Sequence, residues 1–529
     1  MSSRRNLLLS RRDLLRGAGA AVLVGPVAGS LSACADDTPP SESFVHGVAS
    51  GDPLPDSVIL WTRVTTDGAG PVDVVWEVAD DPAMSKRVAS GSTTTDAERD
   101  FTVKVDVSGL AAGRTYYYRF RALGATSPIG RTRTAPSGST SRLRFGVASC
   151  ASYAHGYFHG YRALSEQRDL DAVIHLGDYI YEYGSSDYGD VRAYEPPHEI
   201  VTLADYRTRH AQYKRDADLQ EVHRQHVFIN VWDDHEIAND GYADGAESHT
   251  PGVEGSWADR KAAAQRAYRE WMPIREQADG RIYRKLAFGD LVDLVMLDTR
   301  YQARTKQAVG LTGAPPAADP KRSLLGDEQA AWLEDQLKTS TAKWKLLGQQ
   351  VMVGQLLIEK GTKLVNGDQW HGYPESRERL LTFFRDSGVK DIVVLTGDIH
   401  SSWAHDLVFD PNDPTEYDPA TGRGSVAVEI VTPGITSPGV PEAFAGLVDG
   451  ARPFNRHIQW LELTKRGFVV LDVTPERLQG SWYHLPDVVE AAPTAPAFAA
   501  ALSVKAGEKR LVPDAAAAPS RDDAPVAAP

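Results

Sequence analysis

From residue 143 onward, short apolar segments alternate with longer stretches of helical periodicity, and this alternation limits the available folds more than any other feature. The apolar segments are RFGVASC, DAVIHLGD, VFINVWDD, LVDLVMLDT, WKLLGQQV and DIVVLTGD, followed by the closely spaced SVAVEIVT, HIQWLELT and RGFVVLDV. Between them lie helical patterns such as GDEQAAWLEDQLKTS, in which Ala330, Leu333 and Leu337 share one face. Such alternation predicts an α/β fold built in layers, with the later strands forming a second sheet.

The residues before this region have a different pattern. Residues 41–136 contain SVILWTRV, VDVVWEVAD, FTVKVDVSGL and TYYYRFRAL, separated by Gly, Asp and Pro. Such strands without helical periodicity predict a small β-sandwich in front of the α/β domain, which we place at residues 143–490. Residues 491–529 are rich in Ala and Pro and lack periodicity, which predicts a mostly disordered tail.

Residues 1–34 have the composition of an export signal. Arg11 and Arg12 precede an Ala/Gly/Val/Leu stretch that is too short and too rich in glycine to span a bilayer. The paired arginines indicate the twin-arginine export machinery, which carries folded proteins. The Leu-Ser-Ala-Cys sequence ending at Cys34 is similar to a lipoprotein processing box, so we expect either a lipid anchor at Cys34 or simple cleavage nearby. The mature protein is therefore expected at the cell surface as a lipoprotein, or secreted.

The chain contains two cysteines, Cys34 and Cys150. Because Cys34 lies in the signal, Cys150 has no partner in the folded body, and we expect no disulfide there. The 57 Lys and Arg residues against 71 Asp and Glu residues give a net charge of −14. This balance argues against a nucleic-acid-binding protein held by phosphate neutralisation.

Polar residues gather at the ends of four apolar strands. They are Cys150, then Asp178 and Tyr181, then Asp233, Asp234 and His235, and finally Asp398 and His400. Ligands of α/β sheets bind outside the carboxyl ends of the strands, so these positions predict a shared site. Each residue also has an ordinary structural interpretation, as a core residue, a turn former or a helix cap.

Together, these residue types favour a metal site with more than one ion. Carboxylates suit hard cations such as Ca²⁺, whereas a thiolate, a phenolate and an imidazole suit iron. Adjacent carboxylates such as Asp233 and Asp234 repel each other unless a cation lies between them. On this interpretation Cys150 is a thiolate ligand, and the absence of a partner cysteine keeps it out of a disulfide.

Seven separated motifs, in order, resemble the PhoD family of alkaline phosphatases, within the calcineurin-like metallophosphoesterases. They are FVHGVASGDPLPDSVILWTRV, ASC, HLGDYIYEYG, DYRTRHAQYKRDADLQ, WDDHEIAND, LDTRY and LTGDIHSSW. The resemblance runs from about Phe44 to Tyr483. It implies an N-terminal β-sandwich followed by a four-layer α/β/β/α core, with an active site of iron, as Fe³⁺, and Ca²⁺.

The resemblance also implies roles for single residues. Asp178 bridges two metals, and Tyr181 binds ferric iron. Asp234 stands where the superfamily has a metal-binding asparagine, and His235 stands where it has a phosphate-facing histidine. Asp398 replaces the first histidine of a Gly-His-x-His motif.

Two further ligands complete this expected set. His400 matches the second histidine of that motif, and Cys150 occupies the place of an aspartate. The replacements by aspartate favour calcium over zinc or manganese at the second metal position. Whether Asp233 or Asp234 is the ligand stays open, with Asp234 favoured by its match to the asparagine, and Gln349 and Gln350 are not assigned.

The expected reaction is hydrolysis of phosphate esters by a metal-bound hydroxide, without a serine nucleophile. His235 steadies a phosphoryl oxygen or protonates the leaving alkoxide. Arg300, in LDTRY, is either a second phosphate contact or a structural partner of the many carboxylates.

Two other functions fit the same residues. A phosphodiesterase, including a phospholipase-D-like activity on lipid head groups, would use the same centre on a different ester. A non-catalytic surface lipoprotein would use calcium to hold its fold and the sandwich to bind partners. The filled motif positions favour the enzyme.

Overall fold

The computed structural model describes residues 42–307, 319–359, 362–363, 366–443, 446 and 452–529. The predicted export signal and Cys34 lie outside the described residues. The helices of the described part are α1 (His159–Ser165), α2 (Leu203–Lys214), α3 (Ala217–Gln225), α4 (Trp257–Trp271), α5 (Gly326–Thr339) and α6 (Pro374–Asp386).

Twenty-four strands are described. The first twelve are β1 (Val48–Gly51), β2 (Ser57–Arg63), β3 (Val72–Ala79), β4 (Arg87–Thr95), β5 (Thr102–Ser108), β6 (Thr115–Ala122), β7 (Ala125–Thr126), β8 (Gly130–Arg133), β9 (Leu143–Ala148), β10 (Ala172–His175), β11 (Val227–Asn230) and β12 (Arg284–Phe288). The others are β13 (Val292–Met296), β14 (Trp344–Gln349), β15 (Leu357–Glu359), β16 (Thr362–Lys363), β17 (Ile392–Thr396), β18 (Ser402–Leu407), β19 (Ala427–Val431), β20 (Ile458–Glu462), β21 (Arg466–Val473), β22 (Arg477–Leu485), β23 (Ala497–Lys505) and β24 (Val512–Asp514).

Two large sheets form the centre of the fold. One has ten strands in the order β24-β23-β22-β21-β9-β10-β11-β1-β2-β5, and the other has seven in the order β12-β13-β14-β17-β19-β18-β20. In the first, β9, β10, β11 and β1 run parallel, and in the second β13, β14, β17 and β19 run parallel. The carboxyl ends of these parallel strands carry the loops that build the site described below.

Alternating side chains of the seven-stranded sheet separate two hydrophobic cores. Leu346 of β14 and Val393 of β17 pack into the core shared with the ten-stranded sheet, whereas their neighbours Leu347 and Val394 pack against Leu333 and other residues of α5 and α6. Successive side chains of a strand point to opposite faces, so a strand buried on both faces is apolar throughout. The predicted α/β/β/α layering and second sheet are confirmed, as is the helix at GDEQAAWLEDQLKTS.

The predicted N-terminal sandwich shares one of its sheets with the core. Strands β3, β4, β6, β7 and β8 form a separate five-stranded sheet. Strands β1, β2 and β5 instead extend the ten-stranded sheet, because β1 pairs in parallel with β11. Val58 and Leu60 of β2 lie in the core that also contains Val74 and Val78 of β3, and Trp61 packs on Trp271 of α4. The sandwich is therefore continuous with the α/β body.

The prediction of a disordered tail at 491–529 is wrong for much of that segment. Strand β23 pairs with β22, and β24 pairs with β23. Further on, Ala528 is buried, and its backbone N–H and C=O each bond the Gln225 side chain at 3.0 Å. Alternating burial of Leu502 and Val504 in β23 supplies apolar contacts that the overall Ala/Pro composition concealed.

Candidate metal centre

Four residues of the predicted site have left-handed backbone conformations. The φ angles are +59° at Cys150, +53° at Asp178, +60° at Asp398 and +56° at His400. Non-glycine residues rarely adopt this region, which costs about 1 kcal/mol or more per residue. Backbone hydrogen bonds between the loops stabilise this conformation, including the bond from Cys150 N–H to Gly177 O at 3.1 Å. Strained backbone concentrated at adjoining strand ends is typical of a functional site.

The first group of donor atoms comes from Cys150, Asp178 and His400, whose ligand atoms lie within 4.8 Å of one another. The Tyr181 hydroxyl joins them, donating to Asp178 Oδ2 at 3.0 Å and lying 3.2 Å from His400 Nε2. The structure thus brings together Cys150, Asp178, Tyr181 and His400, four of the predicted metal ligands. A thiol, a phenol, an imidazole and a carboxylate can together bind a borderline or redox-active cation.

Sequence reasoning missed Ser437, which follows β19. Its Oγ lies 2.6 Å from the Tyr181 hydroxyl, and the carbonyl of the next residue, Pro438, lies 3.1 Å from His400 Nδ1. That contact leaves His400 Nε2 directed toward Asp178 at 3.8 Å. Such an outer contact fixes the ring orientation of a ligating histidine. The loop of Ser437 contacts Cys150 through backbone hydrogen bonds. Backbone contacts leave no residue pattern in the sequence, so no motif indicated Ser437.

A second group of donors is wholly acidic. Asp233, Asp234 and Asp398 have carboxylate oxygens within 4.8 Å of one another, and Asp178, Asp234 and His235 form an overlapping group. Asp178 and Asp234 therefore each belong to two groups. Both Asp233 and Asp234 lie beyond β11, which ends at Asn230, so the alternation of side chains along a strand does not keep them on opposite faces.

Arg300 is fully buried between these carboxylates. Its Nε bonds Asp233, its Nη1 bonds both oxygens of Asp368 at 2.8 and 2.7 Å, and its Nη2 bonds Asp398 at 2.7 Å. Of the two roles considered from sequence, the structural pairing is the one observed, and the phosphate contact stays a prediction. Each guanidinium nitrogen is occupied, because buried cations and anions must neutralise one another.

Negative charge exceeds positive charge at this centre. Arg304 is the other guanidinium, bonding Asp368 Oδ1 at 2.6 Å. Asp233 Oδ2 is buried without a hydrogen-bond partner among the described residues, and Asp234 Oδ1 has only an ion-pair contact with Arg300 Nη2 at 3.4 Å. Orphaned buried carboxylate oxygens are costly unless a cation binds them. The donor set therefore fits hard cations. The buried acids are Asp178, Asp233, Asp234, Asp368 and Asp398.

Sequence reasoning also missed the neighbours of Arg300. Asp368 and Gln369 lie in a segment with no strand pattern, and Gln369 Nε2 donates to Asp398 Oδ2 at 2.5 Å. Gln350 is structural: its Nε2 donates to Trp232 O, beyond the end of β11, at 2.7 Å and to Leu297 O, beyond the end of β13, at 3.0 Å. Gln349 is likewise engaged with Thr396 and Trp370.

His235 is paired with a buried glutamate. Its Nδ1 lies 2.7 Å from Glu182 Oε2, and its ring stacks on Tyr181 with centroids 4.2 Å apart. Burial by itself lowers the pKa of His235, but the carboxylates of Glu182, Asp178 and Asp234 outweigh it and raise that pKa well above the usual value. The imidazolium is therefore favoured, with Nε2 available to the site.

Glu236 holds the loop that carries the acidic residues. Its carboxylate accepts the backbone N–H groups of Asp178 at 3.0 Å, Ile180 at 3.3 Å and Asp233 at 2.6 Å. Burial, and then the charge of Asp178, raise the pKa of Glu236 to about 8. Burial, and then Asp178, also raise the pKa of the Cys150 thiol and the Tyr181 phenol. A metal bound by these two groups must displace their protons.

Comparison with known proteins agrees with this geometry. The sequence matches the PhoD-like phosphatase family over residues 145–482, and the N-terminal domain of PhoD-like phosphatases over residues 30–136. The chain belongs to the PhoD-like phosphatase family. It is 38% identical over 513 residues to alkaline phosphatase D of Bacillus subtilis (strain 168), covering 92% of this chain and 86% of the relative. A solved structure of PhoD superposes with a TM-score of 0.82 at 36% identity, covering 90% of this chain and 93% of the other.

Membership of the PhoD-like family establishes that the protein is a phosphoric ester hydrolase. The clusters of acidic, histidine and cysteine residues fit the metal dependence of the family. The alternative of a non-catalytic calcium-binding lipoprotein is accordingly set aside. Among the described residues, none of the helices combines the length and apolar character that crossing a bilayer needs.

Proposed function

We propose that this PhoD-like phosphatase is exported and hydrolyses phosphate monoesters with Fe³⁺ and Ca²⁺ held at the two donor groups. The observation that carries the proposal is the juxtaposition of a mixed thiol, phenol and imidazole group with a wholly acidic group, joined through Asp178. When bound, the cations supply charge neutralisation for the phosphoryl group and acidify a water molecule.

Donor chemistry supports the choice of metals. Cys150, Tyr181 and His400 offer sulfur, phenol oxygen and imidazole nitrogen, a mixed set of donors that iron accepts and calcium does not. Asp233, Asp234 and Asp398 offer oxygen atoms alone, which suit calcium. Asp178 lies between the two donor groups and would contact a cation on each side. Its Oδ2 lies 3.8 Å from His400 Nε2, and its Oδ1 accepts the backbone N–H of His235 at 3.4 Å.

The protein's own residues complete the chemistry. Protonated His235 would donate from Nε2 to the oxygen of the departing alcohol, while Glu182 holds the ring and stabilises its charge. Arg300 does not reach the substrate in this proposal. It keeps Asp233, Asp368 and Asp398 in place and offsets part of their charge.

The reaction class is tested by initial rates on the metal-loaded protein with p-nitrophenyl phosphate and bis-p-nitrophenyl phosphate. A faster rate on the monoester, lost in Asp178→Asn, supports the proposal. A faster rate on the diester would assign the centre to a phosphodiesterase instead. Hydrolysis of neither ester would refute the function.

Export and lipidation are part of the same proposal. The paired Arg11 and Arg12 and the Leu-Ser-Ala-Cys sequence ending at Cys34 support them. Mass spectrometry of the mature N-terminus tests the anchor: a diacylglycerol-modified Cys34 is expected, and an unmodified N-terminus would indicate simple cleavage. Replacing Arg11 and Arg12 by Lys should hold the protein inside the cell, and unchanged export would contradict the twin-arginine route.

A further inference from the structure

One short loop, residues 432–438 directly after β19, contacts three of the predicted metal ligands. Ser437 Oγ lies 2.6 Å from the Tyr181 hydroxyl, and the carbonyl of the residue after Ser437 lies 3.1 Å from His400 Nδ1. The backbone N–H of Ser437 donates to Cys150 O at 3.2 Å. Ser437 thus brings a side-chain hydroxyl directly to a predicted ligand atom.

The direction of the hydrogen bond between Ser437 and Tyr181 follows from counting protons. A phenol has one proton, and both Asp178 Oδ2 at 3.0 Å and His400 Nε2 at 3.2 Å lie within its reach. Ser437 Oγ accepts the backbone N–H of Ser152 at 3.3 Å, which leaves its own proton for an acceptor. The Tyr181 oxygen is that acceptor, at an ordinary distance for an O–H···O bond. Ser437 is therefore the donor of this bond.

The surrounding backbone fixes the position of Ser437. The residue is wholly buried, as is Thr436 before it. The backbone N–H groups of Ser437 and Thr436 both donate to Cys150 O, at 3.2 and 3.3 Å, and Thr436 Oγ1 donates to Ser152 O at 2.7 Å. A loop held in this way presents the Ser437 hydroxyl to Tyr181 at a fixed distance, which is how outer residues orient the ligands of a metal.

Metal binding would change the hydrogen bonds of Tyr181. A metal that binds a phenol displaces its proton, so the Tyr181 oxygen then carries negative charge and can only accept. The bond from Ser437 persists, because Ser437 supplies its proton. Hydrogen bonds to a charged acceptor are shorter and stronger than bonds between neutral groups. The contact therefore becomes stronger when Tyr181 serves as a ligand.

We propose that Ser437 is a positioning residue that supports Tyr181 as an iron ligand by donating a hydrogen bond to its oxygen. Ser437 acts through Tyr181 and does not touch the substrate. This inference rests on the proposed function, since it takes the iron assigned above to the mixed donor group. A hydrogen bond to a phenolate reduces the electron density that the ligand gives to the metal, so Ser437 also raises the reduction potential of the iron.

The test compares Ser437→Ala with the unaltered protein, each loaded with Fe³⁺. In the variant, the phenolate-to-iron absorption band should move to longer wavelength and the reduction potential of the iron should fall, because the phenolate donates more strongly. Iron affinity, measured by competition with a chelator, should fall about 10–100-fold, the usual effect of removing an outer partner of a metal ligand. Ser437→Thr keeps the hydroxyl and should retain the band position.

Thr436→Val is the matched control. It removes the hydroxyl of the adjacent, equally buried residue, which donates to the Ser152 carbonyl and not to a ligand. This variant should lower the stability and leave the band position and the iron affinity as they are in the unaltered protein.

The outcomes separate this inference from the proposed function. An unmoved band with unchanged iron affinity in Ser437→Ala, or an equal change in Thr436→Val, would overturn the role of Ser437 while leaving the phosphatase and its iron in place. If the unaltered protein showed no phenolate-to-iron band, the iron assignment in the proposed function would fail, and this inference would fail with it.

Discussion

Replacing Glu182 by Gln tests the assignment of His235 as the proton donor to the leaving group. Glu182 is wholly buried, its Oε2 lies 2.7 Å from His235 Nδ1, and its Oε1 accepts Asn239 N–H at 2.7 Å. A hydrogen bond to a charged partner contributes about 1.5–3 kcal/mol. At about 1.4 kcal/mol per pKa unit, its loss should lower the pKa of His235 by about one to two units.

The sign of the pH effect follows from the raised pKa of His235. A proton donor acts below its pKa, so the alkaline limb of the kcat profile should move to lower pH in Glu182→Gln. The assay is the pH dependence of kcat with an alkyl phosphate and with p-nitrophenyl phosphate. At alkaline pH we expect the alkyl substrate to lose about 10–100-fold, because its alkoxide must be protonated, whereas p-nitrophenolate leaves without help.

Glu429→Gln provides a matched control. Glu429 and His405 form another fully buried glutamate–histidine pair, 3.0 Å apart, and neither belongs to the proposed proton-transfer pair. This variant should lose stability but keep the difference between the two substrates. Equal losses on both substrates in Glu182→Gln, or an unmoved alkaline limb, would refute the role given to His235.

Three further predictions concern charge, metal and the tail. Arg300→Met should destabilise the metal-free protein by about 3–5 kcal/mol in urea unfolding, because it strands buried carboxylates, and added Ca²⁺ should recover part of the loss. Arg260→Met, a control at another buried arginine, should lower the stability, and added Ca²⁺ should not restore it. A loss of stability in Arg300→Met that Ca²⁺ does not reduce would contradict calcium binding at the acidic group. Asp178→Asn should abolish metal binding and activity together. The control Asp472→Asn removes a carboxylate that pairs with buried Arg144 at 3.0 Å and should lower the stability only. Retained activity in Asp178→Asn would contradict the proposed metal centre. Gln225→Ala should lower the free energy of unfolding by about 1–3 kcal/mol through its two bonds to Ala528, and an unchanged melting temperature would show that the C-terminal residues contribute nothing.

Much of the centre was accessible from sequence because parallel strands deliver their carboxyl ends to one edge. Cys150, Asp178 and Asp234 follow β9, β10 and β11, neighbouring parallel strands of one sheet, so their convergence needed no knowledge of the loops. Asp398 follows β17 of the other sheet, so its approach to them depends on how the two sheets stack. Strand patterns equally predicted the layers, since β17 is apolar on both faces and β14 places Leu346 and Leu347 on opposite faces.

The remaining features depend on contacts between distant parts of the chain. Asp368 follows no strand, and its role appears only where Arg300 and Arg304 reach it. Pairing of β1 with β11 is equally non-local, so the shared sheet could not be deduced from composition. In the tail, an Ala/Pro-rich average hid a strand whose Leu502 and Val504 find apolar partners in the fold.

The central claim is that the mixed donor group holds iron and the acidic group holds calcium. Elemental analysis, with a visible absorption spectrum, on protein exported by its own signal tests it most directly. We predict one iron per chain together with calcium, and a thiolate- or phenolate-to-iron absorption band that is altered in Cys150→Ser and Tyr181→Phe. Zinc, or no metal, in active and properly folded protein would contradict the account and leave Cys150 as a packed core residue.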